Sequence, residues 1–207
     1  MKRLLIAPSK SGLFVLLLIL TVIALGVPCA AQSSEGAAEE SVEETREQLE
    51  EAILWLLRVT PRARLYRDEE ERLERIDEIL EFSWKYDHDP FLIASMIYCE
   101  SSYRPDVIGK SKNEIGLMQV HGGALRRCID RGFDLSEPRG QIECGTWYLR
   151  DRIDFCGSVR GGLSAYAAGK CSLRPESRAA RVVERRFRLA EKLKGVDYEP
   201  QRETDRS

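Results

Sequence analysis

Apolar residues recur at spacings of three and four along most of the chain beyond residue 38, which is typical of amphipathic helices. Leu73, Ile76 and Leu80, for example, mark the apolar face of a single helix. Alternating patterns of the strand type are scarce, and residues 107–117 leave room for a short β-hairpin at most. We therefore predict an all-α to α-dominated fold. The predicted helices are residues 39–57, 67–84, 91–101, 116–128, 141–154, 162–168 and 175–193.

The most apolar stretch of the chain lies near its start. Residues 13–27 carry no charge, follow three basic residues, and precede the small residues at 29–31. This layout predicts that residues 1–31 are a secretory signal peptide. The alternative is a retained anchor helix, since the 21 uncharged residues from 11 to 31 would just span a bilayer. Either way, we predict export to the periplasm or cell envelope, with membrane contact only if this segment is retained.

Three further segments follow. Residues 32–66 are predicted to form a polar leader, up to residue 38, and an acidic helix whose glutamates face solvent rather than forming an interaction tail. Residues 67–195 are predicted to form one globular domain, and residues 196–207 a disordered tail. The arginine-rich segment 174–188 also carries an apolar stripe, which favours packing over a surface that binds polyanions.

Composition excludes several classes of protein. Apolar residues make up 43% of the 207 positions, which is too many for a wholly disordered chain. The formal charge of −2 lacks the basic excess of a nucleic-acid-binding protein. With only His88 and His121, and no C-x-x-C motif, neither a histidine-rich metal centre nor a zinc ribbon is indicated. We predict no metal, no cofactor and no nucleic-acid partner.

Glu100 is a carboxylate in an unusual position. It ends the apolar stretch 91–99, and Ile93, Met96 and Ile97 lie seven, four and three residues before it. On a helix these residues share one face, so Glu100 is expected at the edge of the buried side. Burial raises the pKa of a carboxyl group, and a protonated carboxyl can act as a general acid. The alternative is that Glu100 lies just past the helix and reaches water.

Three sequence blocks accompany this carboxylate. They are ESSYRP at residues 100–105, GLMQ at 116–119 and AYAAG at 165–169. In this order, and behind an export signal, they resemble the catalytic domain of soluble lytic murein transglycosylases, a relative of goose-type lysozyme with the pattern E-S-x-F/Y, G-L-M-Q, A-Y-N-A-G. The resemblance covers roughly residues 73–193. It implies a lysozyme-like helical domain and a lyase that acts on the glycan strands of peptidoglycan.

The resemblance also implies roles for individual residues. Glu100 would be the single catalytic acid, and the Tyr166 hydroxyl would bond to its carboxyl group. Ala167 stands where the family has asparagine, so this contact with the sugar is expected to be weakened or changed. His121 is expected to be a surface residue, with a place in the cleft as the alternative. The residues matching the family's substrate-binding positions are Ser101, Met118, Gln119 and Ala167.

With one acid, the implied reaction is a transglycosylation without water. Glu100 would protonate the β-1,4 oxygen between N-acetylmuramic acid and N-acetylglucosamine, and would then accept the proton of the C6 hydroxyl as a 1,6-anhydromuramic end forms. A hydrolytic muramidase, with Asp106 or Glu114 as a second acid, is one alternative. A noncatalytic peptidoglycan-binding module is another, and Ala167 is its main support. A lyase serving an envelope assembly with an unidentified partner is a third, and a helical scaffold that binds no sugar is a fourth.

The cysteines fit this interpretation as structural bonds, since exported proteins generally form disulfides. A bridge between Cys156 and Cys171 would close the loop that holds Tyr166, and one between Cys128 and Cys144 would join two predicted helices. Cys99 would then remain a packed thiol. The alternative, a nucleophilic Cys99, lacks a nearby histidine in the sequence.

Overall fold

The structure, a computed structural model, describes residues 31–60, 68–109 and 114–195. The predicted signal peptide, apart from its last residue, and the predicted tail at 196–207 lie outside these ranges. Among the helices in the described ranges, none has both the length and the apolar character needed to cross a membrane.

The described residues form seven helices and one hairpin, so the predicted α-dominated fold is confirmed. The elements are α1 (Ala31–Val59), α2 (Glu69–Lys85), α3 (Pro90–Ser101), β1 (Glu114–Ile115), β2 (Val120–His121), α4 (Gly122–Asp130), α5 (Pro138–Cys156), α6 (Val159–Ala168) and α7 (Arg178–Lys194).

The N-terminal helix differs from the prediction at its start. The backbone is already helical from Ala31, whereas the sequence analysis predicted a polar leader up to residue 38 and a helix only from residue 39. Internal contacts divide the chain after Ser41, and the part of α1 beyond that point shares the core of the rest. Its apolar face lies at helical spacing: Leu49, Ala52, Ile53 and Leu56 are all buried. The core therefore includes a helix that the sequence analysis placed outside the lysozyme-like domain.

Helix α3 is the centre of the core. Asp89 caps its first turn by accepting a hydrogen bond from the Phe91 amide, and Pro90 occupies the first position. Its residues from Pro90 to Ile97 are buried, because α2 and α7 both pack against it. A helix that is apolar on all sides is stable only inside a core, and α5 and α6 complete the packing around these elements.

The hairpin lies where the sequence analysis predicted the start of a helix. Glu114 pairs with His121 and Ile115 with Val120, so residues 116–119 form the turn between two short strands. Gly116 and Gln119 adopt positive φ values of 70° and 49°, which a helix does not allow. The helix predicted from residue 116 therefore begins only at Gly122.

Two disulfides tie the helices together. Cys128 and Cys144 link α4 to α5, while Cys156 and Cys171 link the end of α5 to the loop after α6. These are the two pairs considered in the sequence analysis. Cys99 remains a free, half-buried thiol. The second disulfide closes a loop that contains all of α6, so it restrains the helix that carries Tyr166.

A buried carboxyl group in α2, Glu78 beside Arg75, makes stability depend on pH. Arg75 and Glu78 are 4% and 3% exposed, and their side-chain atoms Nη1 and Oε2 lie 3.0 Å apart. Desolvation raises the pKa of Glu78 to about 7, although the charge of Arg75 opposes this shift. In the unfolded chain the same carboxyl group has its ordinary pKa of 4.5. Between these two values the folded protein therefore holds a proton that the unfolded chain has already released.

We expect the free energy of unfolding to fall by roughly 1 to 3 kcal/mol as the pH rises from about 4.5 to about 7. Glu78→Gln should remove most of this slope, because a glutamine does not titrate. Urea unfolding of both proteins across this pH range measures the effect. Equal slopes in the two proteins would show that Glu78 is not the group responsible.

Candidate active site

Glu100 lies in the last turn of α3, and Ser102 ends that helix in the left-handed region with φ 54°. Ile93, Met96 and Ile97, one and two turns earlier, are completely buried. The Glu100 side chain is 20% exposed, so it reaches solvent from the edge of the apolar core. Burial raises the pKa of this carboxyl group, which favours the protonated form that a general acid needs.

A cavity of about 590 Å³ opens beside the Glu100 carboxyl group. Residues from the hairpin, from α6 and from the first half of α7 complete its wall. The cavity therefore collects groups that are far apart in the sequence. Its side chains include Glu100, Glu114, Gln119, His121, Tyr166, Ala167, Arg178 and Arg186.

The Tyr166 hydroxyl does not bond to Glu100 as the resemblance implied. It donates instead to the backbone oxygen of Met118, over 2.8 Å. The ring is buried and packs against Tyr148, with centroids 5.3 Å apart. This bond ties α6 to the turn of the hairpin, and it leaves the phenolic oxygen as an acceptor only.

Arg186 lies next to the carboxyl group of Glu100. Its Nη2 donates to Oε1 of Glu100, and the side chain is only 3% exposed. The sequence analysis treated this arginine as part of a packing segment and assigned it no role in the site. A signal was present, because Val183, Arg186, Ala190 and Leu193 lie at helical spacing and are the buried residues of α7.

Two of the expected substrate-binding residues do not reach the cavity. Ser101 is 2% exposed, and its hydroxyl donates to the Ile97 carbonyl oxygen one turn earlier in α3. The Met118 side chain is completely buried and lies against Gly145, where a Cβ atom would come within 2.4 Å of its sulfur. In this structure both side chains therefore belong to the core behind the cavity rather than to its lining, and their contact with the sugar stays a prediction.

Gln119 does line the cavity, and the loop around it is firmly held. Its Nε2 donates to the carbonyl oxygens of Val107 and Gly116. The neighbouring amide of Leu117 donates to Oε1 of Gln141, a buried side chain in α5. Sequence reasoning missed Gln141, since a glutamine at a helix start has no distinctive local pattern. Ala167 also lines the cavity, on α6 beside Tyr166.

A second carboxylate faces the same cavity. Glu114 lies opposite His121 in the hairpin, and both side chains line the wall with Glu100. The charge of Glu114 raises the pKa of Glu100 and that of His121 lowers it, both less strongly than burial does. His121 is exposed, as expected, and its side chain also lines the cavity. Asp106 is exposed and does not line the cavity.

Neither a cysteine nucleophile nor a metal site is supported in the described part of the chain. Burial raises the pKa of the Cys99 thiol, which disfavours a nucleophilic thiolate. His88 directs its Nε2 to the carbonyl oxygen of Thr146, 3.1 Å away. Within residues 31–60, 68–109 and 114–195, no group of three or more His, Cys, Asp or Glu side chains is arranged to hold a metal ion.

Comparison with known families shows that one family model covers the elements around the cavity. A family model described as "Transglycosylase SLT domain" matches residues 77–186, more than half of the chain. The matched segment contains α3, the hairpin and α6, and it ends at Arg186 in α7. A search of curated proteins found no match.

Proposed function

The chain belongs to the transglycosylase SLT domain family, and from that premise we propose that Glu100 is the group with which it cleaves peptidoglycan. The family assigns lytic transglycosylase activity in general, with peptidoglycan as the substrate. The observation that carries the assignment to Glu100 is its position, since it is the carboxyl group that joins the apolar core to the cavity. The proposed bond is the β-1,4 link between N-acetylmuramic acid and N-acetylglucosamine.

In the first step, protonated Glu100 gives its proton to the glycosidic oxygen as the bond to C1 of the muramic sugar breaks. The leaving N-acetylglucosamine takes that proton as a hydroxyl group, and C1 becomes oxocarbenium-like. Burial against Ile93, Met96 and Ile97 supports this role, because it favours the neutral acid before the reaction. The Arg186 guanidinium lies ready to stabilise the carboxylate that is left.

In the second step, the Glu100 carboxylate accepts the proton of the C6 hydroxyl of the same muramic sugar. The freed oxygen closes on C1 and gives a 1,6-anhydro end, which returns Glu100 to its protonated form. Protons balance over the cycle, and no water is consumed. One side chain serves as acid and then as base, so its pKa must lie near the working pH.

A hydrolytic muramidase is the second candidate, and Glu114 is the observation that favours it. Its side chain lines the same cavity as Glu100, where it could activate a water molecule as a general base. The product would then be an ordinary reducing end. Asp106, the other acid considered, is exposed and outside the cavity wall, so it does not support this candidate.

We also propose that the protein is exported. Action on peptidoglycan requires access to the cell wall, and two disulfides suit an oxidising compartment. The predicted signal peptide would supply the route.

Mass analysis of the products distinguishes these candidates. Purified residues 32–207 are incubated with peptidoglycan, and the released muropeptides are separated and weighed. A lytic transglycosylase should yield products lighter by one water than the corresponding hydrolysis products. Reducing ends at full mass would support the muramidase and direct attention to Glu114. If the protein sediments with the cell wall but releases nothing, it is the noncatalytic binding module.

A further inference from the structure

We propose that Arg186 is the positioning residue of this active site: it fixes the orientation of the Glu100 carboxyl group and stabilises its ionised form. This inference deepens the proposed function and rests on the role given there to Glu100. Arg186 donates directly to Glu100, whereas the Tyr166 hydroxyl donates to Met118.

The Arg186 guanidinium is buried and makes few hydrogen bonds. Arg186 is 3% exposed, and its Nη2 donates to Glu100. Its Nε and Nη1 are buried without a hydrogen-bond partner among the described residues. A buried charge with so few partners is costly, so the guanidinium depends on the carboxylate for compensation. Glu100 is therefore held wherever the packing of α7 places Arg186.

The packing of α7 fixes the position of Arg186 itself. Val183, Ala190 and Leu193, on the same face of α7, are buried, and this helix packs directly against α3. The guanidinium carbon lies 5.6 Å from the centre of the Tyr166 ring, within the range of a cation–π contact. The Tyr166 hydroxyl is held by Met118, so the ring is fixed. Tyr166 thus acts on the carboxyl group through Arg186.

Charged and polar groups from three elements face Glu100. The hairpin presents Glu114 and His121, α7 presents Arg178 and Arg186, and α6 presents Tyr166. Cys99 precedes Glu100 in α3, and its thiol is near Arg185. Burial raises the pKa of Glu100, and Arg186 is the strongest of the groups that lower it.

The opposite effects of burial and of Arg186 on the pKa of Glu100 suit a residue that must act as both acid and base. Burial alone would favour the protonated form and would make proton donation unfavourable. A fixed cation next to the carboxylate stabilises the state reached once the proton has left. Arg186 thereby assists the first step and prepares the base of the second.

The test compares wild type with Arg186→Gln, Arg186→Lys and the control Arg181→Gln. Arg181 is an exposed arginine on the same helix and does not line the catalytic cavity, so its loss matches the change in charge. Two quantities are measured: kcat/KM against pH, and the pH midpoint of the Glu100 carboxyl carbon by NMR of protein labelled with ¹³C-glutamate. The Glu100 signal is assigned from its absence in Glu100→Gln.

In Arg186→Gln the midpoint of Glu100 should rise by roughly 1 to 3 pH units, because an adjacent cation is lost. Activity needs the protonated acid and falls as pH rises through this pKa, so the falling limb of kcat/KM should move to higher pH by the same amount. At the optimum, kcat should drop on the order of 10²-fold, since the carboxyl group is no longer held. Arg186→Lys should leave the falling limb of kcat/KM near its wild-type pH but lower kcat. Lysine keeps the positive charge but lacks the planar guanidinium group with its fixed N–H donors. Arg181→Gln should match wild type.

An unchanged Glu100 midpoint in folded Arg186→Gln would overturn the proposal, even if activity fell. If that variant does not fold, Arg186→Lys decides, and an unaltered kcat there would overturn the positioning role. A wild-type protein that releases no anhydro product would instead refute the proposed function. The NMR midpoints do not depend on activity, so the two failures can be told apart.

Discussion

Replacing Glu100 by glutamine is expected to lower kcat by roughly 10²- to 10⁴-fold, while the protein still sediments with peptidoglycan. The amide keeps the shape of the side chain but can neither donate the proton to the glycosidic oxygen nor accept the C6 proton. The loss should therefore appear in turnover rather than in binding. Rates of anhydromuropeptide release and pelleting with insoluble cell wall measure the two quantities separately.

Stability must be measured alongside, because Glu100→Gln leaves the Arg186 charge buried without a carboxylate. A melting curve shows whether the variant is folded at the assay temperature. Glu81→Gln is the matched control: Glu81 pairs with Arg139 on the surface, and its loss should leave turnover near the wild-type value. If folded Glu100→Gln still turned over at the wild-type rate, Glu100 would not be the acid.

Gly116→Ala is expected to lower the free energy of unfolding by about 3 to 5 kcal/mol. Gly116 has φ +70°, and an added Cβ would come within 2.1 Å of Oε1 of Gln141. That side chain accepts the Leu117 amide and donates to the carbonyl oxygens of Pro105 and Leu135. Its displacement would release three segments at once. Chemical denaturation measures the loss.

Gly132→Ala separates the cost of a side chain at positive φ from the cost of the contact with Gln141. Gly132 also has a positive φ, of 82°, but nothing lies within 4 Å of a Cβ built there. It should lose only the backbone term of about 1 to 2 kcal/mol. Equal losses at the two positions would show that the contact with Gln141 does not matter. Since Gly116 lies between Glu114 and Gln119, the variant should also lose activity under conditions where it remains folded.

Local residue patterns were enough to predict most of the helices and the family. The spacing of Ile93, Met96 and Ile97 before Glu100 indicates a carboxylate at the edge of a buried helix face, and the structure places Glu100 there. The same kind of pattern failed at residues 116–121. There the chain turns at positive φ and pairs as a hairpin, in which Gly116 and Gln119 are held by backbone and side-chain hydrogen bonds.

The motifs pick out residues of the site but do not say whether each side chain faces the cavity or the core. Ser101 and Met118 lie in the expected blocks, yet both are buried, and their bonds and contacts are with the core. Glu114 and His121 carry no assigned substrate-binding role in the blocks, yet both line the cavity because they face each other across the hairpin. The side of the backbone that meets the cavity is set by strand pairing and turn geometry, which a motif does not specify.

The sequence by itself determined the α-dominated fold, the family and a carboxylate at the end of an apolar helix. The helices and the carboxylate follow from local spacing, and the family follows from three short motifs in a fixed order. Only the tertiary structure decided what surrounds that carboxylate. Arg186 is 86 positions from Glu100 and meets it only when α7 packs on α3. The Tyr166 hydroxyl donates a hydrogen bond to the carbonyl oxygen of Met118, 48 positions away, because tertiary packing brings the two residues together. Which buried polar groups become partners depends on how the helices pack, and no local spacing encodes that.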